Sequence, residues 1–271
     1  MDIPSYPASR PLDLADRQRF DAAFAADPPD ISEFTFTNLY AWRRAYGFRV
    51  CVSDGLIVLS SETGGKKSYF RPIGTGDIAG TVARLAKERI PFIRVPEKDR
   101  HIISQASGFR SSADRDNDDY VYSCKELVEL KGKAFDGKRN FIKKFKRQYQ
   151  FEYLRLDDRS IADCLDFQNL WCITRGCENE ETLTEERDAV REMCHNFSLF
   201  GLFGGALRVE GKISAIAIGQ RLNRDTMVMH ALKALPDMPG SYQTMLNEFL
   251  TRDCDGFGFV NMEQDLGVEG L

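Results

Sequence analysis

Three alternating apolar segments in the last third of the chain, joined by turns of two or three residues, leave little freedom in how that region folds. Residues 202–209 turn through Glu210-Gly211 into 213–222, and these turn through Asn223-Arg224-Asp225 into 226–233. Connections this short join antiparallel neighbours, because a parallel return needs a dozen or more residues. The pattern then changes. Residues 236–241 form a loop bearing glycine and proline, 242–252 have helical spacing, and 256–262 read as a further strand.

Upstream, Ile161, Cys164, Leu165, Trp171 and Cys172 share one face of a helix over 160–174. Thr182 with Glu185 three residues on is expected to be a capping box opening a helix to about residue 197. The first half repeats the order without obvious identity. Helical segments at 12–25 and 34–46 come first, the second crowded with Phe34, Phe36, Leu39, Tyr40, Trp42 and Tyr46, a cluster read as core. Strands at 48–52 and 56–60 flank the hairpin turn Ser53-Asp54-Gly55. A strand at 68–73 ends in Gly74-Thr75-Gly76-Asp77, and a helix at 78–89, a strand at 92–95 and a helix at 98–106 follow.

Antiparallel strands, a glycine-bearing loop, a helix and another strand make up the order of the GNAT acyltransferase core, which both halves resemble. In that fold two neighbouring central strands splay, and amides of the loop and helix start face the gap as an anion site. The expected fold class is α+β: two tandem GNAT-like acyltransferase domains, each a mixed, mainly antiparallel sheet flanked by helices. The expected boundaries are 1–125, a basic connecting segment at 126–150, and 151–271, where the last strand can be missing.

Composition adds constraints. At 42% hydrophobic and 29% charged, the 271 residues can bury a core. The first ten residues hold no apolar signal region and no apolar run is long enough to span a bilayer, so a cytoplasmic protein is expected. Seven cysteines lack zinc-ligand spacing and only three histidines accompany them, which predicts reduced, mostly buried thiols and no metal site. The net charge of −4 gives no global attraction to nucleic acid, and no DNA partner is expected. Local charge is another matter. Residues 131–149 hold eight Lys or Arg and one acid, against 29 basic and 40 acidic residues elsewhere. From Lys138 onward Phe141, Ile142, Phe145 and Tyr149 fall at helical spacing, leaving Lys138, Arg139, Lys143, Lys146 and Arg147 on other faces. Such a helix is either a solvated linker or a phosphate-binding face for tRNA, coenzyme A or an anionic headgroup. One polybasic patch gives at most peripheral membrane association.

Longer strings carry a closer resemblance. They are Ser32-Glu33-Phe34-Thr35-Phe36-Thr37-Asn38-Leu39-Tyr40 with Trp42, Leu130-Lys131-Gly132-Lys133, Lys138-Arg139-Asn140, Gly240-Ser241-Tyr242-Gln243 and Asn247-Glu248-Phe249. The last is Glu263-Gln264-Asp265-Leu266-Gly267-Val268-Glu269-Gly270-Leu271. On these the chain resembles, almost end to end, a bacterial family related to the cytosolic C-terminal domain of phosphatidylglycerol lysyltransferase. It departs from that pattern at Asp136, Leu232 and Met262, where a histidine, an acid and an arginine are common. The resemblance implies a tandem GNAT-like fold and transfer of an activated acyl or aminoacyl group, from acyl-CoA or aminoacyl-tRNA, to an amine or hydroxyl. The alternative is a non-catalytic RNA- or ligand-binding module on the same scaffold.

Acyl transfer needs a held donor, a base and partners for the developing oxyanion. Glu263, Asp265 and Glu269 are expected to form a carboxylate cluster that holds an ammonium or acts as base. His230 is either a general base or a satisfied interior histidine. Gly240, Ser241 and Tyr242 are expected at the donor's phosphate or carbonyl. Lys138, Arg139, Asn140 and Lys143 are the expected donor-phosphate contacts, the asparagine on the strength of the resemblance.

Overall fold

The three short-linked strands form the centre of a six-stranded sheet in the computed structural model, which describes residues 2–266. Two units divide the chain: residues 119–263, and residues 2–118 together with 264–266.

The first unit carries β1 (Arg10–Pro11), α1 (Arg17–Ala26), α2 (Phe36–Ala41), β2 (Arg49–Ser53), β3 (Leu56–Thr63), β4 (Lys66–Tyr69), α3 (Ile78–Leu85) and α4 (Arg100–Ser107). Its four strands pair antiparallel in the order β1-β2-β3-β4. Asp54 and Gly55 both take left-handed φ, 51° and 83°, the backbone that a two-residue hairpin requires. Asp77 caps α3 by accepting from the Gly80 amide at 2.8 Å. After α3 the chain returns to pair Phe92 in parallel with Tyr69, a single bridge in place of the strand expected at 92–95. Of the expected aromatic core, Phe34, Phe36 and Leu39 are buried, whereas Tyr40, Trp42 and Tyr46 are half-buried; the Phe20 ring meets that of Phe36, and Phe34 and Phe48 both meet Phe70. Thr35 caps α2 at its start, and the helix closes at Ala41, much shorter than the 34–46 span expected.

The second unit carries β5 (Asp119–Ser123), α5 (Cys124–Glu129), α6 (Asp136–Gln148), β6 (Phe151–Arg155), α7 (Ile161–Arg175), α8 (Glu181–His195), β7 (Phe203–Val209), β8 (Lys212–Arg221), β9 (Thr226–Ala234), α9 (Ser241–Asp253) and β10 (Phe259–Gln264), whose last residue falls in the first unit. The sheet order is β5-β10-β9-β8-β7-β6. Glu210 and Gly211 turn β7 into β8 with φ of 51° and 78°. Asn223 Oδ1 closes the next turn by accepting from the Asp225 and Thr226 amides. β6 to β9 are antiparallel, whereas β10 joins β9 in parallel after the α9 crossover.

Alternation along β8 assigns the two faces. Ala215 and Ala217 lie in the core with Met245 and Phe249 of α9 and Phe145 of α6, small residues that let the helix close on the sheet. Ile216 and Ile218 are buried on the other face, where α7 packs. Burying a side chain the size of Phe249 stabilises the fold by about 1.5–3 kcal/mol.

Two details differ from expectation. Helix α8 begins at Glu181, one residue before Thr182, so there is no capping box at Thr182. The hydroxyl of Thr184 instead donates back to the Cys177 carbonyl. Cys172 and Cys177 are paired as a disulfide with Cα atoms 5.0 Å apart, because α7 ends at Gly176 in a left-handed turn that folds Cys177 back. Cys51, Cys124, Cys164, Cys194 and Cys254 are free and buried.

Candidate active site at the splay of two parallel strands

Strands β9 and β10 diverge. Their register runs from Phe259 opposite Thr226 to Asn261 opposite Val228 and stops, although β9 continues to Ala234 and β10 to Gln264. On β9 the departure coincides with a β-bulge. Ile218 faces Ala231 and Gly219 faces Met229, so His230 is the extra residue. Bulges re-aim a side chain and increase local twist. On β10 the departure is marked by Glu263, which takes a left-handed φ of 63°, costly for a residue with a side chain. Asn261 holds that turn: its Oδ1 accepts from the Glu263 amide at 2.8 Å, and its Nδ2 donates to Asp119 at 2.6 Å.

His230 and Glu263 meet in the gap. The imidazole Nδ1 lies 2.9 Å from Glu263 Oε1, and Nε2 lies 3.2 Å from Gln220 Oε1. Gln220 is oriented by its own amide nitrogen, which donates to the Phe200 carbonyl at 3.0 Å. Its oxygen therefore faces the histidine, and Nε2 must carry a hydrogen. The proton between Nδ1 and Oε1 is then shared by a histidine and a carboxylic acid. Burial raises the proton affinity of Glu263, His230 opposes that, and the charges of Asp119 and Glu186 add to it, leaving its carboxyl above the usual range. The side chain of His230 is 0% exposed and that of Glu263 25% exposed, so of the two only Glu263 keeps any side-chain surface open to solvent.

Three residues from the strand on, Lys233 sits on β9 with its ammonium 2.7 Å from Glu186 of α8 and 3.6 Å from the centre of the Trp171 ring on α7. Its side chain is 3% exposed, and burial lowers its proton affinity against the opposing influence of Glu186. Sequence reasoning gives no site role to Lys233, Glu186, Trp171 or Gln220. One signal was present: a lysine inside the otherwise buried strand containing His230.

The remaining expected residues fall in several places. Asp265 belongs to the first unit, where Arg115 lies 3.4 Å from its carboxylate and its amide donates to the Asp118 carbonyl. Glu263 and Asp265 thus have different partners, and Glu269 lies outside the described residues. Gly240 precedes α9 with φ 92°, and a Cβ there would stand 2.3 Å from the Phe141 carbonyl oxygen of α6. The Ser241 hydroxyl donates to the Met238 carbonyl at 2.7 Å, which ties it into the loop. Tyr242 is 43% exposed and lines an open cleft with Lys138, Gln243, Ile142 and Leu246. Arg139 is engaged with the Leu130 and Gly132 carbonyls and with Asp136. Asn140 and Lys143 are exposed on α6. Among the described residues no group of three or more His, Cys, Asp or Glu is placed to hold a metal ion, and no helix is long and apolar enough to cross a membrane.

No curated protein matches the chain. A conserved protein of unknown function from Bacteroides thetaiotaomicron is 33% identical, with 97% of this chain and 92% of that one covered and a TM-score of 0.86. The C-terminal domain of a putative lysylphosphatidylglycerol synthetase from Agrobacterium fabrum superposes at a TM-score of 0.64, with 14% identity over 92% of this chain and 78% of that one. FemX superposes at 0.56, with 8% identity and 95% and 88% covered. At these lower identities the likeness speaks to the fold, which is α+β and GNAT-like. The family model for the C-terminal part of phosphatidylglycerol lysyltransferase matches residues 27–271. This chain is a member of the phosphatidylglycerol lysyltransferase C-terminal family.

Proposed function

We propose that the chain transfers an activated acyl or aminoacyl group to an amine or hydroxyl, and that the reaction takes place at the splay of β9 and β10. The observation that carries this reading is the His230–Glu263 pair across the gap, in which Glu263 is the member whose side chain retains exposed surface. Glu263 takes the proton from the acceptor nitrogen or oxygen as that atom bonds to the acyl carbon. The bond from the acyl carbon to the leaving group breaks, and Glu263 passes the proton it took to the departing oxygen or sulfur. His230, sealed from solvent, does not reach a substrate; it orients Glu263 and stabilises its charged form. Family membership supports the reaction class. The strand–helix–strand order of the first unit, with its parallel Tyr69–Phe92 return, supports reading it as a second GNAT-like unit.

For the donor, aminoacyl-tRNA is the better reading. Lys143, Lys144 and Arg147 of α6 are exposed, and so are the rings of Phe141, Tyr122 and Tyr242. Tyr122 lies close enough to Tyr242 to act on its phenol electrostatically. Cations that track phosphates beside exposed rings that stack bases suit a single-stranded RNA end. The Ser241 amide already donates to the Met238 carbonyl, so an anion at the start of α9 would be met by the Tyr242 and Gln243 amides.

The test is transfer to an amine acceptor from charged tRNA and from acyl-CoA, wild type against Glu263→Gln. The substitution is expected to lower kcat by about 10²–10⁴ and leave donor binding intact. An unchanged kcat removes Glu263 as the base. Donor binding without transfer in the wild type makes the chain a binding module.

A further inference from the structure

The cleft beside Tyr242 is walled by Leu127 of α5, Ile142 of α6 and Leu246 of α9, and it encloses about 360 Å³. Small-molecule sites begin at about 300 Å³. Its walls are held together. Asn247 Nδ2 donates to the Leu127 and Val128 carbonyls at 3.1 and 3.0 Å, which fastens α9 to the end of α5. Arg139 of α6 donates to the Leu130 and Gly132 carbonyls just beyond that end. The polar groups that line the cleft, by contrast, lack partners. Among the described residues the Gln243 carboxamide and the Tyr242 hydroxyl bond to nothing, and the Lys138 ammonium, 5.9 Å from the centre of the Phe135 ring, pairs with no carboxylate. Asn247 commits both amide hydrogens to α5, which leaves its Oδ1 as an acceptor.

A purely apolar group in this cleft would take those polar groups out of water and give them nothing to bond. A flat ring with apolar faces and a polar rim suits it better. A glutamine carboxamide pairs bidentately with adenine, accepting from N6 and donating to N7. The second N6 hydrogen is matched by the Asn247 acceptor, whereas guanine sets its own oxygen against the acceptor of the carboxamide. Tyr242 supplies a ring for stacking, and Lys138, in the first turn of α6, a cation for phosphate. Strand β9 runs past the splay through Ala234 into the loop that opens α9, so Tyr242 and Gln243 stand at the end of the sheet where β9 and β10 part. Resting on the proposed transfer reaction, we infer that the cleft is an adenine-nucleotide subsite for the donor, with the base edge on Gln243 and Asn247 and a phosphate on Lys138. The 3′-terminal adenosine of tRNA and the adenine of coenzyme A share this chemistry.

The probes are AMP, GMP and adenosine, titrated into the full chain to millimolar concentration with binding read by NMR. AMP is expected to bind and GMP to bind at least tenfold more weakly. Gln243→Leu is expected to weaken AMP by roughly tenfold to a hundredfold, as the loss of one bidentate pair does. Lys138→Gln is expected to weaken AMP and to leave adenosine, which has no phosphate, unchanged. Both positions reach the surface, so the variants are expected to fold. No binding of AMP, equal binding of GMP, or an AMP affinity indifferent to Gln243→Leu overturns the subsite. Displacement of AMP by coenzyme A or by a CCA trinucleotide then separates the two sources. AMP binding that depends on Gln243, in a chain that transfers from neither donor, sinks the transfer reading and keeps the subsite. Transfer that Glu263→Gln abolishes, in a chain that does not bind AMP, does the reverse.

Discussion

Each ring nitrogen of His230 faces an oxygen, and that fixes what the residue can do. A histidine among Met227, Val228 and Met229 reads from sequence as either base or satisfied interior group, and at residue scale it is satisfied on both sides. The role passes to its partner, which the sequence placed in a cluster with Asp265 and Glu269. The partnership was not legible because 33 positions separate His230 from Glu263, and the bulge that turns His230 into the gap leaves no mark on composition. The pH dependence follows from the direction of the shift. Glu263 is a carboxyl held above its usual range, and a base works only when unprotonated. Transfer is therefore expected to rise with pH through an acid limb lying above the range of an ordinary carboxylate, then level off. Measured kcat on constant-ionic-strength buffers checks this, and a rate flat down to the ordinary carboxylate range rules Glu263 out.

At the scale of elements, α6 and α9 are bound together more closely than an amphipathic pattern discloses. The sequence gives the stripe of Phe141, Ile142, Phe145 and Tyr149 but not the helix it meets. Gly240 is the point of closest approach. Its φ of 92° suits glycine, and the Phe141 carbonyl leaves no room for a Cβ. Gly240→Ala should lower unfolding stability by about 2–4 kcal/mol, from left-handed strain and overpacking together, read as a fall in denaturant midpoint at constant slope. Farther along the same contact, Lys146 lies 2.6 Å from Glu248, which also accepts from Arg252 at 2.7 Å. Burial works against the Glu248 charge, but these two cations outweigh it and hold the carboxyl below the usual range. A depressed carboxyl contributes stability above its unfolded value, lost as pH falls through the folded one. Lys146→Ala should then cost roughly 1 kcal/mol at neutral pH, discounted because Lys146 is partly exposed, and less in acid. Equal losses at both pH values would remove the ion pair as the cause. Sequence reasoning leaves Lys146 on the outward faces of the basic helix with Lys143 and Arg147, since helical spacing shows which face a residue shares and not what lies opposite.

Over the whole molecule, legibility tracks the range of the interaction that fixes each part. Strands β7 to β9 and helix α9 fall within one or two residues of their expected limits, because short turns and strict alternation specify them locally. Strands β5 and β6 are not legible in the sequence: Asp119–Ser123 and Phe151–Arg155 alternate weakly and pair at the two edges of the sheet. The basic segment was legible as charge, and the fold then sorts that charge into parts. Arg139 ties α6 to the preceding turn and Lys146 ties it to α9, whereas Lys143, Lys144 and Arg147 remain exposed. Changing these three to Gln should leave stability within about 0.5 kcal/mol, as surface substitutions do. If they contact tRNA phosphates, each removes one released counterion. The slope of log Kobs against log salt should become shallower by about 2 for a single-stranded end. Filter binding of charged tRNA across a salt series reads this directly. A slope equal to that of the wild type moves the RNA off α6, and a folded Lys146→Ala variant with an unaltered slope confirms that Lys146 belongs to the fold and not to the ligand.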